Sequence, residues 1–204
     1  MPTKTPEEIN EQIQNAFKGI KSENYIVLLN TAAEYYFDSV MATASFMTKS
    51  GRNGVYVTAC RPYAFIIRKM REDKRINTDN ILFLDCISRM AGMTGVSQGT
   101  EDAKKCTFVD NPAALEEIKM YIGTLLDKLK GDKFLIIDSI STFLIYNTPG
   151  AVKEFSMLLT NTLRLLEVSG VLIIIEKEAP EDLTQILIAM TDKTIKVTDE
   201  TIKI

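Results

Sequence analysis

Histidine occurs nowhere in the 204 residues of the chain. That one absence removes every Ser–His or Cys–His nucleophile pair and every metal site built on imidazole. Cysteine is sparse: Cys60, Cys86 and Cys106 lie far apart and make no C-x-x-C pair. An odd, small count without paired spacing reads as reduced thiols. Cys60 and Cys86 fall at the ends of expected strands and could lie close together, but burial as small apolar side chains is the preferred reading. Basic charge is not in excess either. The net charge is −3 and the isoelectric point is near 5.2, which argues against a dedicated binder of nucleic acid or acidic lipid while leaving room for a local basic patch. No run approaches the ~18 apolar residues of a membrane span, and no charged-then-apolar leader opens the chain. A cytoplasmic protein is expected.

What is present is an ordinary globular composition, 46% apolar and 25% charged. The length suits one domain over 1–204, burying roughly 70% of its unfolded surface. Thr5-Pro6-Glu7-Glu8 opens an amphipathic helix over 6–20: Thr5 caps, Pro6 takes the first turn, Glu8 closes a capping box, and Ile9, Ile13, Phe17 and Ile20 form the apolar stripe. Apolar runs at 25–29, 55–58, 81–84, 106–109, 134–137 and 171–175 read as short buried strands. Between them come amphipathic helical segments. One is expected from Asp110-Asn111-Pro112 to Lys130. Another runs from Ala151 to Glu167, with Phe155, Leu158, Leu159, Leu163 and Leu166 turned inward. Thr194–Val197 and Thr201–Ile204 suggest a closing hairpin around Asp199-Glu200. Strands alternating with helices predict an α/β domain with a mostly parallel sheet covered on both faces. The segment 89–105 breaks the pattern as a long polar loop with Gly92, Gly95 and Gly99.

The run Phe134–Ile137 ends on Asp138, so one carboxylate stands where a central strand leaves the sheet. Ligands of open α/β sheets bind at this edge, and an acid so placed is a candidate Mg²⁺ ligand beside a phosphate. The plainer reading is preferred: an acid kept at a strand end, hydrogen-bonded to nearby backbone or to Ser139. Ser139, Ser141 and Thr142 have no His or other evident base, and nothing in the spacing pairs Lys177 with them.

The order of parts resembles the RecA superfamily, and within it the single-domain KaiC-like proteins common in archaea. Phe134-Leu-Ile-Ile-Asp138-Ser139-Ile-Ser141-Thr142, Leu144-Ile-Tyr146-Asn147, and the helix ending in Ser169-Gly170 before Val171–Ile175 and Glu176-Lys-Glu178 carry the likeness, which covers roughly residues 25–197. Such a resemblance implies a RecA-like fold and, in active members, ATP with Mg²⁺ held by a glycine-rich loop after the first strand. That chemistry needs G-x-x-x-x-G-K-[ST]: glycines so that backbone N–H groups close on the phosphates, Lys for their charge, a hydroxyl for the metal. The corresponding stretch, Asn30 to Ser39, has neither Gly nor Lys, and nothing basic lies between Tyr25 and Thr48. The second strand ends Thr58-Ala59-Cys60-Arg61, without the acids active members carry there.

The expectation is therefore a non-hydrolytic module that binds a protein partner in regulation or signalling, with no catalytic residues and no resident cofactor. Glu34, Tyr35, Tyr36 and Phe37 put bulk where a triphosphate would sit. Their aromatics either plug the vacated pocket, or Tyr35 and Tyr36 stand exposed as an interaction pair. The alternative is a nucleotide in an unusual pose on Asn30, Thr31, Tyr36, Asp138 and Ser139. An accessory role in DNA recombination ranks third, because Arg89, Lys104 and Lys105 of the long loop are offset by Glu101 and Asp102. Without ATP between neighbours, the expected state is a monomer or a small homo-oligomer.

Overall fold

A computed structural model describes residues 3–20, 23–49, 51–92 and 104–199. In chain order the elements are α1 (Pro6–Lys18), β1 (Ile26–Thr31), α2 (Tyr36–Lys49, entered through a 3-10 turn at Ala33–Tyr35), β2 (Asn53–Thr58), α3 (Tyr63–Glu72), β3 (Ile81–Asp85) and β4 (Cys106–Phe108). There follow α4 (Leu115–Asp127), β5 (Lys133–Asp138), the single turn α5 (Ile140–Phe143), α6 (Pro149–Leu165), β6 (Ser169–Ile175), α7 (Glu181–Met190) and β7 (Lys193–Val197). The seven strands form one sheet in the order β4-β3-β2-β5-β6-β1-β7. Every pairing is parallel.

Parallel strands need covering crossovers, so both faces of the sheet are dressed and each strand buries alternate residues on opposite sides. Val27, Leu29, Tyr56, Phe134, Ile136, Val171 and Ile173 pack into one core with α1, α2 and α3. Ile26, Leu28, Val55, Val57, Leu135, Ile137, Leu172 and Ile174 pack into the other, under α4, α6 and α7. The capping box of α1 is present, with Glu8 N–H donating to Thr5 Oγ1 at 3.3 Å and Thr5 N–H to Glu8 Oε2 at 2.7 Å. Among the described residues no helix is long and apolar enough to cross a membrane.

Several expectations need correction. Asn30 and Thr31 belong to β1, not to a loop reaching Ser39, because both are held in the ladder between β6 and β7. The first expected arm of the C-terminal hairpin is β7, which instead joins the sheet as a parallel partner of β1; the second arm, 201–204, lies outside the described residues, as do 93–103 of the long loop. Leu158 and Leu166 do not face the core: they are 40% and 47% exposed. The buried ridge of α6 is Val152, Phe155, Leu159 and Leu163, which turns Leu158 away, and the helix ends before Leu166. Cys86 and Cys106 are buried as expected, but Cys60 is exposed.

Candidate site at the carboxyl edge of the sheet

The ends of β3, β2 and β5 stand side by side, and the register places Thr58 between Asp85 and Asp138. Both carboxyl groups are fully buried. A buried carboxyl is costly unless hydrogen-bonded, and each has a separate set of donors. Asp85 accepts from the backbone N–H groups of Tyr63 (2.7 Å), Ile87 (2.9 Å) and Ser88 (2.8 Å), and from Ser88 Oγ at 2.5 Å. It thereby ties β3 to the first turn of α3.

Asp138 is held by two tyrosines. Tyr36, at the start of α2, donates its hydroxyl to Oδ1, and Tyr56, from the middle of β2, donates to Oδ2. Alternation explains the second bond: Tyr56 lies opposite Ile136 and Thr58 opposite Asp138, so Tyr56 and Asp138 share a face as diagonal neighbours. Burial pushes the Asp138 carboxyl up to about 8 and raises the Tyr56 phenol well above its ordinary value. Near neutral pH Asp138 therefore retains a proton, and a phenol that both donates and accepts can serve either state. Of the partners expected for it, nearby backbone or Ser139, the Ser139 hydroxyl is engaged elsewhere. Ser139 caps α5, its Oγ accepting from Thr142 N–H at 3.3 Å and lying 2.9 Å from Thr142 Oγ1, while the peptide joining Asp138 to Ser139 is cis. Ser141 Oγ accepts from Ile175 N–H at 3.0 Å and so fastens the end of β6.

The exposed-pair reading of Tyr35 and Tyr36 does not hold. Tyr35 is 1% and Tyr36 3% exposed, because the 3-10 turn folds both rings inward from the end of β1. The Tyr35 hydroxyl accepts from Thr3 N–H at 2.8 Å and donates to Asp199. It binds the strand-to-helix turn to the segment before α1 and to the end of β7. Thr31 Oγ1 lies 3.2 Å from Ser39 Oγ. Asn30 falls on the opposite face of β1 by alternation, and its buried Oδ1 has no hydrogen-bond partner among the described residues. The residues named together in the sequence therefore divide between the two sides of the sheet.

Arg61 was not singled out by the sequence. Its guanidinium carbon lies 4.8 Å from the ring centre of Phe37, 5.2 Å from Tyr36 and 5.8 Å from Phe65, and its Nη1 is buried without a hydrogen-bond partner among the described residues. Tyr56 and Asp85 were missed as well. Only the parity of β2 against β5 could have signalled Tyr56. Among the described residues no three His, Cys, Asp or Glu side chains converge to hold a metal ion.

No protein-family profile matches the sequence, and no curated protein does. Solved structures do. The flagellar accessory protein FlaH of Methanocaldococcus jannaschii superposes with a TM-score of 0.62 at 12% identity, over 95% of this chain and 77% of FlaH. An uncharacterized protein of Pyrococcus horikoshii, crystallised with an unknown peptide, gives 0.60 at 12% identity over 95% and 86%. A KaiC-like protein of the same archaeon gives 0.57 at 16% identity over 91% and 77%. The fold is RecA-like. Within that RecA-like frame, Asp138 ends a central strand flanked by β2 and β6, and Tyr36 stands at the start of the first helix after β1. At these identities the likeness speaks for the fold alone.

Proposed function

We propose that this RecA-like chain is a non-hydrolytic module, a pseudo-ATPase kept for binding a protein partner in a regulatory or signalling role. The observation that carries the reading is the bond from Tyr36 to Asp138. In an ATP-hydrolysing version, the space between the first helix and this carboxyl holds phosphate and Mg²⁺. Here the chain's own ring lies across it, and both Asp138 oxygens are engaged by phenols. With no Gly or Lys from Asn30 to Ser39, the residues present do not fit ATP with Mg²⁺ in the usual pose. The peptide carried by the P. horikoshii neighbour is in keeping with a protein ligand.

Thermal unfolding with and without millimolar ATP and Mg²⁺, together with a phosphate-release assay, tests the reading. A ligand at 100 times its Kd adds about 2.7 kcal/mol. The expected result is no shift and no released phosphate; a shift accompanied by hydrolysis overturns the proposal.

One observation favours a second reading, a nucleotide in an unusual pose. Arg61 Nη1, beside the Tyr36 ring, is buried without a hydrogen-bond partner among the described residues, a donor that a bound ligand would satisfy. A thermal shift with ATP but without hydrolysis would select it.

A further inference from the structure

The charges of the chain are unevenly spread. Residues 61–75 carry six cationic side chains and two carboxylates, within a chain whose net charge is −3. They span the entry to α3, the helix itself and the turn beyond it. Both carboxylates are bound inside the segment, Glu72 to Lys69 at 2.7 Å and Asp73 to Arg75 at 2.7 Å. Arg61, Arg68 and Lys74 make no ion pair among the described residues. Part of this basic character has a local cause: Lys69 and Arg71 sit in the last turn of α3, where the helix dipole favours cations. That cause does not reach Arg61. It stands before the first turn, at the pole that disfavours a cation, and the first turn holds no acidic residue.

Arg61 and Arg68 share one ring. Each guanidinium carbon lies 5.8 Å from the centre of Phe65, so the two stand within twice that distance of one another. Phe37 adjoins them, 4.8 Å from the Arg61 guanidinium carbon and 5.8 Å, ring to ring, from Phe65. Arg68 is exposed, while Arg61, Phe37 and Phe65 are half-buried. Aromatic faces hold guanidinium groups in place without consuming their N–H donors, and Arg61 Nη1 has no acceptor among the described residues. Asp38, next to Phe37, does not serve: burial and the Glu7 carboxylate push its carboxyl up. Glu34, exposed three residues before Phe37, limits the basic surface on that side. Two oriented guanidinium forks without a carboxylate of their own suit anionic side chains, which they can bind bidentately.

The direction of the row bears on which anion. Because β2 and β3 are parallel, α3 starts at the carboxyl edge and descends from it, and Arg68 lies roughly 9 Å beyond Pro62 along its axis. A ligand seated beside Asp138 reaches Arg61 alone. An extended acidic segment, at about 3.3 Å per residue, can follow α3 from Arg61 past Arg68 toward Lys74. Nucleic acid is served less well. The ring faces on which bases would stack are already taken, by the two arginines and by the contact of Phe37 with Phe65.

We propose that the outer face of α3 docks an acidic segment of a protein partner, with Arg61 and Arg68 as its carboxylate anchors. This rests on the reading of the chain as a protein-binding module and supplies the chemistry of the partner.

The test titrates the full chain into a fluorescein-labelled oligopeptide of about ten Glu residues, read by fluorescence anisotropy at about 50 mM and about 200 mM salt. Saturable binding that weakens with salt is expected. Arg68→Gln, at an exposed site, should weaken it by at least ~10-fold with an unchanged circular dichroism spectrum. Arg61→Gln should do the same. Lys128→Gln, exposed at the end of α4 on the opposite side of the sheet, should leave binding unchanged. Absence of binding at the lower salt, or equal losses for Arg68→Gln and Lys128→Gln, would overturn the surface.

Single-stranded DNA of equal charge is the second probe. Tighter binding than the peptide, lost in the same variants, would overturn the protein partner in favour of a nucleic acid. ATP with Mg²⁺ is then added to the bound peptide, which should stay bound; displacement would assign Arg61 to a nucleotide instead. Hydrolysis of ATP with peptide binding intact would remove the pseudo-ATPase reading and leave this surface standing. Loss of peptide binding with inert ATP would do the reverse.

Discussion

Tyr36 donates its hydroxyl to Asp138 across 102 positions of sequence, joining the first turn of α2 to the last residue of β5. Removing that hydroxyl leaves a fully buried carboxyl with one phenol, Tyr56, in place of two. Tyr36→Phe should therefore cost ~1–3 kcal/mol in urea unfolding. Tyr56→Phe should cost a similar amount. The double variant should depart from additivity by at least about 0.5 kcal/mol, because the two hydroxyls share one acceptor group. Additive losses would show that the two phenols act separately.

The same carboxyl should give stability a pH dependence. Its ordinary value is 3.8, and burial pushes it up to about 8 in the folded chain. The folded state thus holds the proton more tightly than the unfolded state does. The stability this contributes is fully present below about pH 3.8, is lost as the pH rises and is gone above about 8. Asp138→Asn stays neutral throughout, so between those limits its stability relative to the parent should climb by up to about 1.4 kcal/mol per pH unit. Urea midpoints of both proteins across that window decide it, and parallel profiles would refute the assignment.

Arg61 draws its stabilisation from aromatic faces rather than from a carboxylate. Three rings surround its guanidinium at 4.8 to 5.8 Å, and a partly desolvated cation over a ring contributes on the order of 0.5–2 kcal/mol. Arg61→Met keeps much of the apolar stem while removing the charge. It should lower stability by about 1 kcal/mol, with little dependence on salt, since Arg61 makes no ion pair among the described residues. A loss that disappears in high salt would point to an ionic partner instead.

Gly54 has no room for a side chain. A Cβ built there would meet the Phe134 ring at 2.2 Å, and Phe134 is itself fully buried as Gly54's register partner on β5. Gly54→Ala should destabilise by ~1–3 kcal/mol through overpacking, measured by chemical denaturation. A second-site Phe134→Leu change, which shortens the opposing side chain, should recover part of the loss.

The sheet and its covering helices were legible because their signals are local. Apolar runs such as Phe134–Ile137 and Val171–Ile175 are short and bounded, and Thr5 with Glu8 announces the start of α1 within four residues. The carboxyl-edge site was legible only in part. Asp138 is visible as the end of a run, but its partners come from elsewhere in the chain, Tyr56 lying 82 positions away inside an apolar stretch of its own. Tyr35 and Tyr36 read as surface residues while Asn30 to Ser39 is taken for a loop; once β1 extends to Thr31, the turn has no length left to hold them outside. Leu158 and Leu166 failed for a different reason. Leucine in an amphipathic helix is assigned to the core by type, and only the buried ridge of α6 shows that two of them belong to another face.

Strand β1 has neighbours on both sides, and both come from the far end of the chain: Ile26 pairs with Gly170 of β6, and Val27 with Lys193 of β7. Among the described residues, nothing between α1 and α6 offers it a ladder. As the chain leaves the ribosome, β2, β3 and β5 can find one another while β1 waits with its amide edges open. The loop-closure entropy for its pairing is met only once β6 has emerged. Nascent chains halted before Ser169 should therefore present β1 as a sticky strand, making this the stage of synthesis at which a chaperone has most to cover.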